Sequence, residues 1–208
     1  MNGCGRRSTL VSTGGEGSLP ARAAVKRACD TMEVAMDSES IRILATGGTF
    51  DKEYDELSGE LYFKDSHITD MLRLGRCHLK VEIRTLMMID SLRMTDADRQ
   101  SILEHCLRAE ERRIVVTHGT DSMELTAAVL GKNVTGKTVV LTGAMVPYTF
   151  GSSDGLFNLG TALAFVQTLP PGVYVAMNGR YFPWHSVRKN RERGVFEEAP
   201  LSTTSNKL

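Results

Sequence analysis

The sequence lacks an excess of charge, a long apolar run and any cluster of basic residues, and these absences exclude two classes of protein. Among its 208 residues, Lys and Arg together number 25 and Asp and Glu together also number 25, so the formal net charge is zero. Basic residues do not collect on one predicted element, which argues against a nucleic-acid partner. No apolar run approaches the roughly 20 residues that a helix needs to cross a bilayer. We therefore expect no nucleic acid and no membrane among the partners of this chain.

Cysteine is scarce and widely spaced, and histidine is scattered as well. No C-x-x-C pair and no histidine at metal-ligand spacing accompanies the four cysteines, which are Cys4, Cys29, Cys77 and Cys106. Free thiols in a reducing compartment are a simpler interpretation than a disulfide framework or a zinc site. The sequence thus predicts a cytoplasmic protein without a metal site.

The two common phosphate-binding patterns are missing or misplaced. The dinucleotide pattern G-x-G-x-x-G is absent, whereas residues 131–138, GKNVTGKT, match G-x-x-x-x-G-K-[ST] letter for letter. That second pattern binds phosphate where it follows a strand and opens a helix. Here a predicted helix precedes the segment and a predicted strand follows it. We therefore expect no nucleotide and no other cofactor.

Residues 1–38 differ in composition from the rest of the chain. They are rich in Gly, Ser, Ala and Arg, poor in large apolar residues and without periodicity. Three interpretations stay open: a disordered tail, a targeting peptide, or upstream sequence read from a start codon placed too early. We assign residues 39–200 to one folded domain and residues 201–208 to a flexible C-terminus.

Predicted strands and helices alternate from residue 40 onward. Apolar and β-branched runs predict strands at 41–45, 80–88, 114–116, 138–142 and 173–177, with a short strand or hairpin arm at 61–63. Helical periodicity and capping signals predict helices at 66–74, 95–109, 121–130 and 154–169. This alternation predicts an α/β fold with a doubly wound, mainly parallel sheet and helices on both faces.

Two loops each place a threonine beside glycine at the end of a predicted strand. The first is Thr46–Phe50, TGGTF, and the second is Thr117–Met123, THGTDSM. The carboxyl ends of parallel strands form the ligand-binding edge of open α/β sheets. Glycine lets backbone approach a ligand closely, and an adjacent hydroxyl can act as a nucleophile. Two such threonines facing one pocket predict covalent chemistry on a carbonyl group.

The second of these loops suggests a polar triad. A partly buried lysine holds its proton less tightly and can assist proton transfer to and from a hydroxyl. Lys137, at the start of a predicted core strand, is the candidate for this role beside Thr120, with Asp121 as the counter-charge. The alternative interpretation of Lys137 is a solvated lysine at a strand start, which is the commoner situation. We interpret His118 in the same loop as structural.

The first loop continues into a polar segment with the composition of a lid. Residues 51–59, DKEYDELSG, are mostly charged and end on glycine. Tyr54 in this lid could reach Thr49 and accept or pass on the threonine proton. Without a lid, Tyr54 is an exposed aromatic and Thr49 belongs to a tight turn. The pairing of the two threonine loops favours the catalytic interpretation.

These segments resemble the bacterial-type L-asparaginases, the threonine amidohydrolase family that includes the glutaminase-asparaginases. The resemblance covers roughly residues 41–180 and rests on ILATGGT at 43–49, THGTDSM at 117–123, Lys137 with TGAMVP at 142–147, and DGLFNL at 154–159. It implies hydrolysis of the side-chain amide of L-asparagine, with L-glutamine as a further substrate, to the acid and ammonia. It also implies Thr49 as the nucleophile of an acyl-enzyme, Tyr54 as its lid partner, and a second catalytic set of Thr120, Asp121 and Lys137.

The resemblance further implies how the substrate is bound. Ser91 falls where the family binds the α-carboxylate, and Asp121 would also hold the α-amino group. Backbone amides around Gly48 and Gly119 are candidates to bind the substrate and stabilise the oxyanion. Leu92 is a departure, because long family members often carry glutamine at that position.

The expected partners and the alternative functions follow from the same resemblance. Family members typically continue into a second, smaller domain, so the resemblance implies a short single-domain form, and it suggests a homodimer or homotetramer. Two other functions stay open. One is an ammonia-generating subunit of a tRNA-dependent amidotransferase, and the other is a non-catalytic asparagine- or aspartate-binding module.

Overall fold

The computed structural model describes residues 40–199. The predicted tail at 1–38 and the predicted flexible segment at 201–208 lie outside the described residues. The strands of the described part are β1 (Ile41–Gly47), β2 (Lys52–Asp55), β3 (Glu60–Phe63), β4 (Val81–Ile89), β5 (Arg113–Thr117), β6 (Thr138–Thr142), β7 (Gly172–Met177), β8 (Arg180–Pro183), β9 (Val187–Asn190) and β10 (Val195–Glu198). Its α-helices are α1 (Ile68–Leu74), α2 (Asp96–Arg108), α3 (Met123–Asn133) and α4 (Gly155–Thr168).

A six-stranded sheet forms the centre of this fold, in the order β4-β1-β5-β6-β7-β8. The first five strands of that order pair in parallel, and β8 pairs with β7 in antiparallel fashion. The predicted mainly parallel sheet is confirmed. Strand β8 was not predicted, although Asn178 and Gly179, both with positive φ, form the two-residue turn before it. An Asn-Gly pair between apolar runs is a hairpin signal that the sequence offered.

Helices cover both faces of the sheet, as predicted. On one face α2 and α3 belong to a buried cluster in which Ile102 and Leu130 accompany Val116 of β5. On the other face α1 and α4 belong to a second buried cluster in which Met71 and Leu163 accompany strand residues. In residues 40–199 no helix is both long and apolar enough to cross a membrane.

The helix boundaries show where the sequence signals were read correctly and where they were not. Helix α2 begins with a capping box formed by Thr95 and Asp98. Helix α3 does not end at residue 130, as predicted, but continues through Gly131 to Asn133. A Cβ at Gly131 would lie 2.3 Å from the ring of Trp184, so glycine is required there for close packing against the indole. Because α3 precedes and β6 follows residues 131–138, the segment lacks the strand-loop-helix order of a phosphate loop.

The predicted lid is a β-hairpin. Strands β2 and β3 form their own two-stranded sheet, with Tyr54 opposite Leu61. The carboxylate of Asp55 accepts hydrogen bonds from Leu57 N–H and the Ser58 hydroxyl, which closes the turn at the hairpin tip. A second small hairpin, β9–β10, follows β8 near the end of the described residues.

Candidate active site

Three loops meet at the carboxyl edge of the central sheet. They follow β1, β4 and β5 and contain residues 48–51, 90–95 and 118–122. The hydroxyl of Thr46 donates a 2.7 Å hydrogen bond to the carbonyl oxygen of Thr117, which ties the first loop to the third. Gly48 N–H donates to the carbonyl oxygen of Ile89 at 3.1 Å, which ties the first loop to the second. The two threonine loops are therefore neighbours, as the sequence predicted.

Close packing between these loops depends on glycine. Gly48 has φ of 81°, and a Cβ on it would lie 2.3 Å from the amide nitrogen of Gly119. A Cβ on Gly119 would in turn lie 2.5 Å from the Oγ atom of Ser91. Side chains at either position would push the loops apart, so these glycines place Ser91 beside the second threonine motif.

Lys189 of β9 completes the second threonine motif. Its Nζ atom donates to Oγ1 of Thr120 at 2.7 Å and to Oδ1 of Asp121 at 2.8 Å. The Lys189 side chain is only 6% exposed, whereas that of Asp121 is 36% exposed. Glu124 on α3 accepts the Lys189 backbone N–H at 2.8 Å and so fixes β9 over the loop. The amine of Lys189 thus lies between a threonine hydroxyl and a carboxylate and bonds to both.

The structure contradicts the predicted place of Lys137 in this triad. Lys137 lies just before β6, at the amino edge of the sheet and thus opposite the threonine loops. Its ammonium group binds carbonyl oxygens at the C-terminal end of α2, those of Cys106, Leu107 and Ala109. A lysine there compensates the negative end of the helix dipole, which is a structural role.

Sequence reasoning missed Lys189 because β9 was not predicted. Only four residues long, this strand follows a 3-10 turn at Trp184–Ser186 and has no long apolar run. One signal was present. Val187 and Lys189 are two residues apart and therefore share a face of a strand, and Val187 is buried.

Thr49 is the first residue of the short 3-10 helix Thr49–Asp51, and Tyr54 lies beyond the end of that helix on β2. Thr49 is partly buried, and Tyr54 on β2 is 53% exposed. No hydrogen bond joins the two side chains within residues 40–199. The hairpin thus carries Tyr54 in an open position, and its predicted role at Thr49 stays a prediction.

Ser91 is held in a tight turn after β4. It is 3% exposed, and its carbonyl oxygen accepts a 2.6 Å hydrogen bond from the hydroxyl of Ser122. Asp90 accepts the N–H of Leu92 at 2.9 Å and the ammonium of Lys52 at 2.5 Å. Burial opposes ionisation of Asp90, but these hydrogen bonds and the charge of Lys52 outweigh it and hold the pKa of Asp90 below its usual value.

The amide of Gly48 is not available for substrate binding as predicted. It is occupied by the carbonyl oxygen of Ile89. A backbone donor that already has a partner inside the protein contributes little to a developing oxyanion. The neighbouring amides around Gly48 and those of Gly119 and Thr120 remain the candidates for that task.

The buried His118 side chain fixes the backbone of the second threonine loop through hydrogen bonds. Its Nδ1 lies 2.7 Å from the Gly119 carbonyl oxygen and its Nε2 lies 2.8 Å from the Thr126 hydroxyl. Since a carbonyl can only accept, Nδ1 carries the proton and Nε2 accepts from Thr126. Burial lowers the pKa of His118 to about 4, although the hydrogen bond to Gly119 opposes that shift. The ring is therefore neutral at pH 7 and structural in its contacts.

Asp154 and Asn158 at the start of α4 hold the loop that follows β6. The Asp154 carboxylate accepts the N–H groups of Met145 and Val146 at 2.9 and 3.1 Å. The Asn158 amide donates to the Gly143 carbonyl oxygen at 2.8 Å. Gly143 packs closely on His118, because a Cβ on Gly143 would lie 2.4 Å from the carbonyl oxygen of His118. The DGLFNL segment thus fixes the loop after β6 and does not itself belong to the three loops of the site.

The geometry agrees with the comparison to known families. A family model described as "Asparaginase, N-terminal" matches residues 40–199. The chain belongs to the asparaginase family. The structural basis of the match is the set of loops described above, whose threonine, glycine and serine residues converge at one edge of the sheet.

Several asparaginases are similar to this chain. The L-asparaginase of Thermococcus kodakarensis is 34% identical over 158 residues, which are 74% of this chain and 48% of that protein. L-asparaginase 2 of Escherichia coli is 33% identical over 175 residues, 77% of this chain and 49% of that protein. The solved structure of the thermostable Thermococcus kodakarensis L-asparaginase gives a TM-score of 0.68 at 32% identity, covering 76% of this chain and 51% of that one. The chain spans about half the length of the curated relatives that it matches.

Within this asparaginase-family domain, the predicted site residues divide into three groups. The loops bring together Thr120, Asp121, Gly119 and Ser91, with Gly48 packed beside them. Thr49 follows Gly48 directly, and Tyr54 is carried by the adjacent hairpin. Lys137 lies outside the site. Lys189 occupies the position beside Thr120 and Asp121 that the sequence analysis assigned to Lys137.

Proposed function

We propose that this chain hydrolyses the side-chain amide of L-asparagine to L-aspartate and ammonia. The observation that carries the proposal is the contact of Lys189 with Thr120 and Asp121 beside the Thr49 loop. A buried amine bonded to a threonine hydroxyl is suited to proton transfer. Amide hydrolysis through a covalent threonine ester needs such transfers at each step.

In the first step, Thr49 Oγ1 forms a bond to the side-chain carbonyl carbon of the substrate. The hydroxyl proton passes to a basic group, for which Tyr54 and the Thr120–Lys189 pair are the candidates. The resulting oxyanion is stabilised by backbone N–H groups of the second loop, an effect worth several kcal/mol in acyl transfer. The carbon–nitrogen bond then breaks, and ammonia leaves with the transferred proton.

In the second step, water attacks the threonine ester. The Thr120–Lys189 pair accepts the proton of the attacking water and returns it to Thr49 Oγ1 as the ester bond to Thr49 breaks. Aspartate and the free Thr49 hydroxyl are the products. Asp121 lies 2.8 Å from the Lys189 Nζ atom and so holds the amine at Thr120 during both proton transfers.

Recognition of the amino-acid end falls to Ser91 and Asp121. Oδ1 of Asp121 is bonded to Lys189, while Oδ2 has no hydrogen-bond partner within residues 40–199 and can accept from an α-ammonium group. The Ser91 hydroxyl faces Gly119 and can donate to an α-carboxylate. Because Asp121 would bind the α-ammonium group and Ser91 the α-carboxylate, the site would select free amino acids, which carry both groups, over peptides.

The decisive experiment measures ammonia release from L-asparagine and L-glutamine by the full chain. We expect turnover of L-asparagine that is lost in Thr49→Ala, Thr120→Ala and Lys189→Met. Binding of L-aspartate without turnover would instead favour an amino-acid-binding module. Failure of every free amide to react, with turnover restored by a partner protein, would favour an amidotransferase subunit.

We also propose that the chain self-associates as a homodimer or homotetramer and acts in the cytoplasm. Exposed apolar side chains stand around the candidate site, among them Tyr54, Leu92 and Phe150, which are 53%, 66% and 50% exposed. Among the solved relatives, one from Campylobacter jejuni is titled a probable cytoplasmic L-asparaginase, at a TM-score of 0.67 and 29% identity over 79% of this chain and 54% of that one. Light scattering after gel filtration tests the assembly, and cell fractionation tests the compartment.

A further inference from the structure

The hairpin that carries Tyr54 is attached to the domain through few contacts. Its strands β2 and β3 pair with each other and not with the central sheet. The Lys52 ammonium binds Asp90 at 2.5 Å, and the Thr149 hydroxyl donates to the Lys52 carbonyl oxygen at 3.4 Å. On the other face, His67 Nε2 lies 3.4 Å from a carboxylate oxygen of Glu53. An element held by so few groups can open and close without disturbing the core.

Asp90 bonds in two directions at once. Its Oδ1 atom accepts the N–H of Leu92 at 2.9 Å and so closes the turn that contains Ser91. Its Oδ2 atom accepts from Lys52 of the hairpin. The two side chains are 18% and 28% exposed, which shields the pair partly from solvent. A single carboxylate therefore joins the hairpin to the Ser91 turn.

Lys52 also determines which face of the hairpin points toward that turn. Lys52 and Tyr54 are two residues apart on β2 and lie on the same face of the strand. The Lys52 ammonium lies 5.9 Å from the ring centroid of Phe63, its cross-strand partner. Holding Lys52 on Asp90 therefore keeps this face of the hairpin beside the Ser91 turn, while the Tyr54 side chain is still 53% exposed.

We propose that Lys52 is a positioning residue, whose ion pair with Asp90 couples the Tyr54 hairpin to the Ser91 turn and keeps the hairpin docked beside the site, from where Tyr54 can close over substrate. The inference rests on the proposed amidase function. Lys52 touches no reacting atom in it. Its contribution is to raise the fraction of molecules in which the hairpin is already docked when substrate arrives.

The kinetic consequence follows from population arithmetic. When only a fraction of the protein is competent to bind, the apparent dissociation constant rises by the inverse of that fraction. Saturating substrate restores the docked state. Loss of the ion pair should therefore raise KM for L-asparagine and leave kcat nearly unchanged, whereas loss of a group acting on Thr49 lowers kcat.

The test is a double-mutant cycle on the full chain. Lys52→Met removes the charge and keeps most of the aliphatic length, and Asp90→Asn keeps the acceptor for Leu92 N–H. We expect each to raise KM by about threefold to fivefold, the range of a partly exposed ion pair, and the double variant to be no worse than either. Lys52→Arg should restore KM. Added salt should raise the KM of the wild type but not that of Lys52→Met.

A matched control is another ion pair between two separate segments, Arg42 with Glu111 at 2.7 Å. Arg42 lies near the amino end of β1, away from the loops. Arg42→Met should leave KM unchanged. Additive effects of Lys52→Met and Asp90→Asn, a fall in kcat alone, or an equal change in Arg42→Met would overturn the proposal.

A second readout does not depend on turnover. The hairpin tip contains Glu56, which is exposed, so a glutamate-specific protease can cut there when the hairpin undocks. Initial cleavage should be about threefold to fivefold faster in Lys52→Met and Asp90→Asn than in the wild type and Arg42→Met. Equal cleavage in all four proteins refutes the ion-pair coupling. A wild type that does not hydrolyse asparagine but shows the expected cleavage pattern refutes the amidase function alone.

Discussion

The Nζ atom of Lys189 lies 2.7 Å from the Oγ1 atom of Thr120 and is almost completely buried. Arg191, two residues further along, donates to the carbonyl oxygen of Asp121 at 3.1 Å. The β9 segment is therefore bonded to the second threonine motif through both side chain and backbone. The group that we propose for proton transfer therefore reaches the site from an element nearly 70 residues away in sequence.

This relationship predicts different outcomes for two lysines. Lys189→Met should lower kcat for L-asparagine by at least about 100-fold, because a proton-transfer group is lost. Lys137→Met should keep kcat within about twofold and lower the melting temperature, because Lys137 binds the carbonyl end of α2. Steady-state kinetics and thermal unfolding of both variants are the measurements. The reverse pattern would restore the assignment made from sequence.

Gly119 provides a second prediction. Gly119→Ala would place a methyl group 2.5 Å from Ser91 Oγ, so the Ser91 turn and the threonine loop must separate. We expect kcat/KM for L-asparagine to fall about 100-fold, since displacements near 1 Å have such effects in active sites. Gly160→Ala is the control, because no atom lies within 4 Å of a Cβ at that position. Full activity in Gly119→Ala would mean that Ser91 is not part of the site.

A third prediction concerns the packing of Gly131 on Trp184. Gly131→Ala would place a methyl group 2.3 Å from the indole and should lower the free energy of unfolding by about 1–3 kcal/mol. Trp184 is the only tryptophan, so its fluorescence should change as the ring moves. Gly160→Ala in helix α4 should instead raise the free energy of unfolding by about 0.4–1 kcal/mol. Unchanged fluorescence and stability in Gly131→Ala would contradict this packing.

A fourth prediction follows from the neutral, buried His118. The unfolded chain takes up a proton at His118 near pH 6.5, whereas the folded protein does so only near pH 4. The contribution of His118 to stability is therefore complete above pH 6.5 and is lost as the pH falls from 6.5 to 4, by about 3 kcal/mol. Urea unfolding of the wild type and His118→Gln at pH 7.5, 5.5 and 4.5 measures this. Parallel pH dependence in the two proteins would exclude the titration of His118.

The sequence predicted the parts of the fold that rest on apolar periodicity. The parallel strands and the flanking helices appear because Ile, Val and Leu recur with the spacing of buried elements. The threonine loops were predicted to meet because parallel strands share one carboxyl edge. The end of helix α3 was predicted wrongly because Gly131 lies inside the helix, where it packs against Trp184, and does not terminate it.

The lysine was misplaced for a different physical reason. Strand β9 is held by tertiary contacts, such as Glu124 with the Lys189 backbone, and not by its own pattern. A side chain that such a strand contributes to the site cannot be assigned from the sequence alone, because only the tertiary fold brings it there. Lys137 has the more conspicuous sequence context, but β6 presents it at the opposite edge of the sheet.

The separation of the Lys189 strand from the central sheet has a consequence for quality control of the purified protein. The sheet ends at β8, and the β9–β10 hairpin pairs only with itself. Val187 and Phe196 pack this hairpin into the core, but no backbone pairing of the central sheet depends on it, so a preparation in which the hairpin is clipped would keep most of its circular dichroism spectrum. It would nevertheless lack the ammonium group at Thr120. Structural assays of the core would then report intact protein in samples that have no working site, so the active fraction has to be titrated directly.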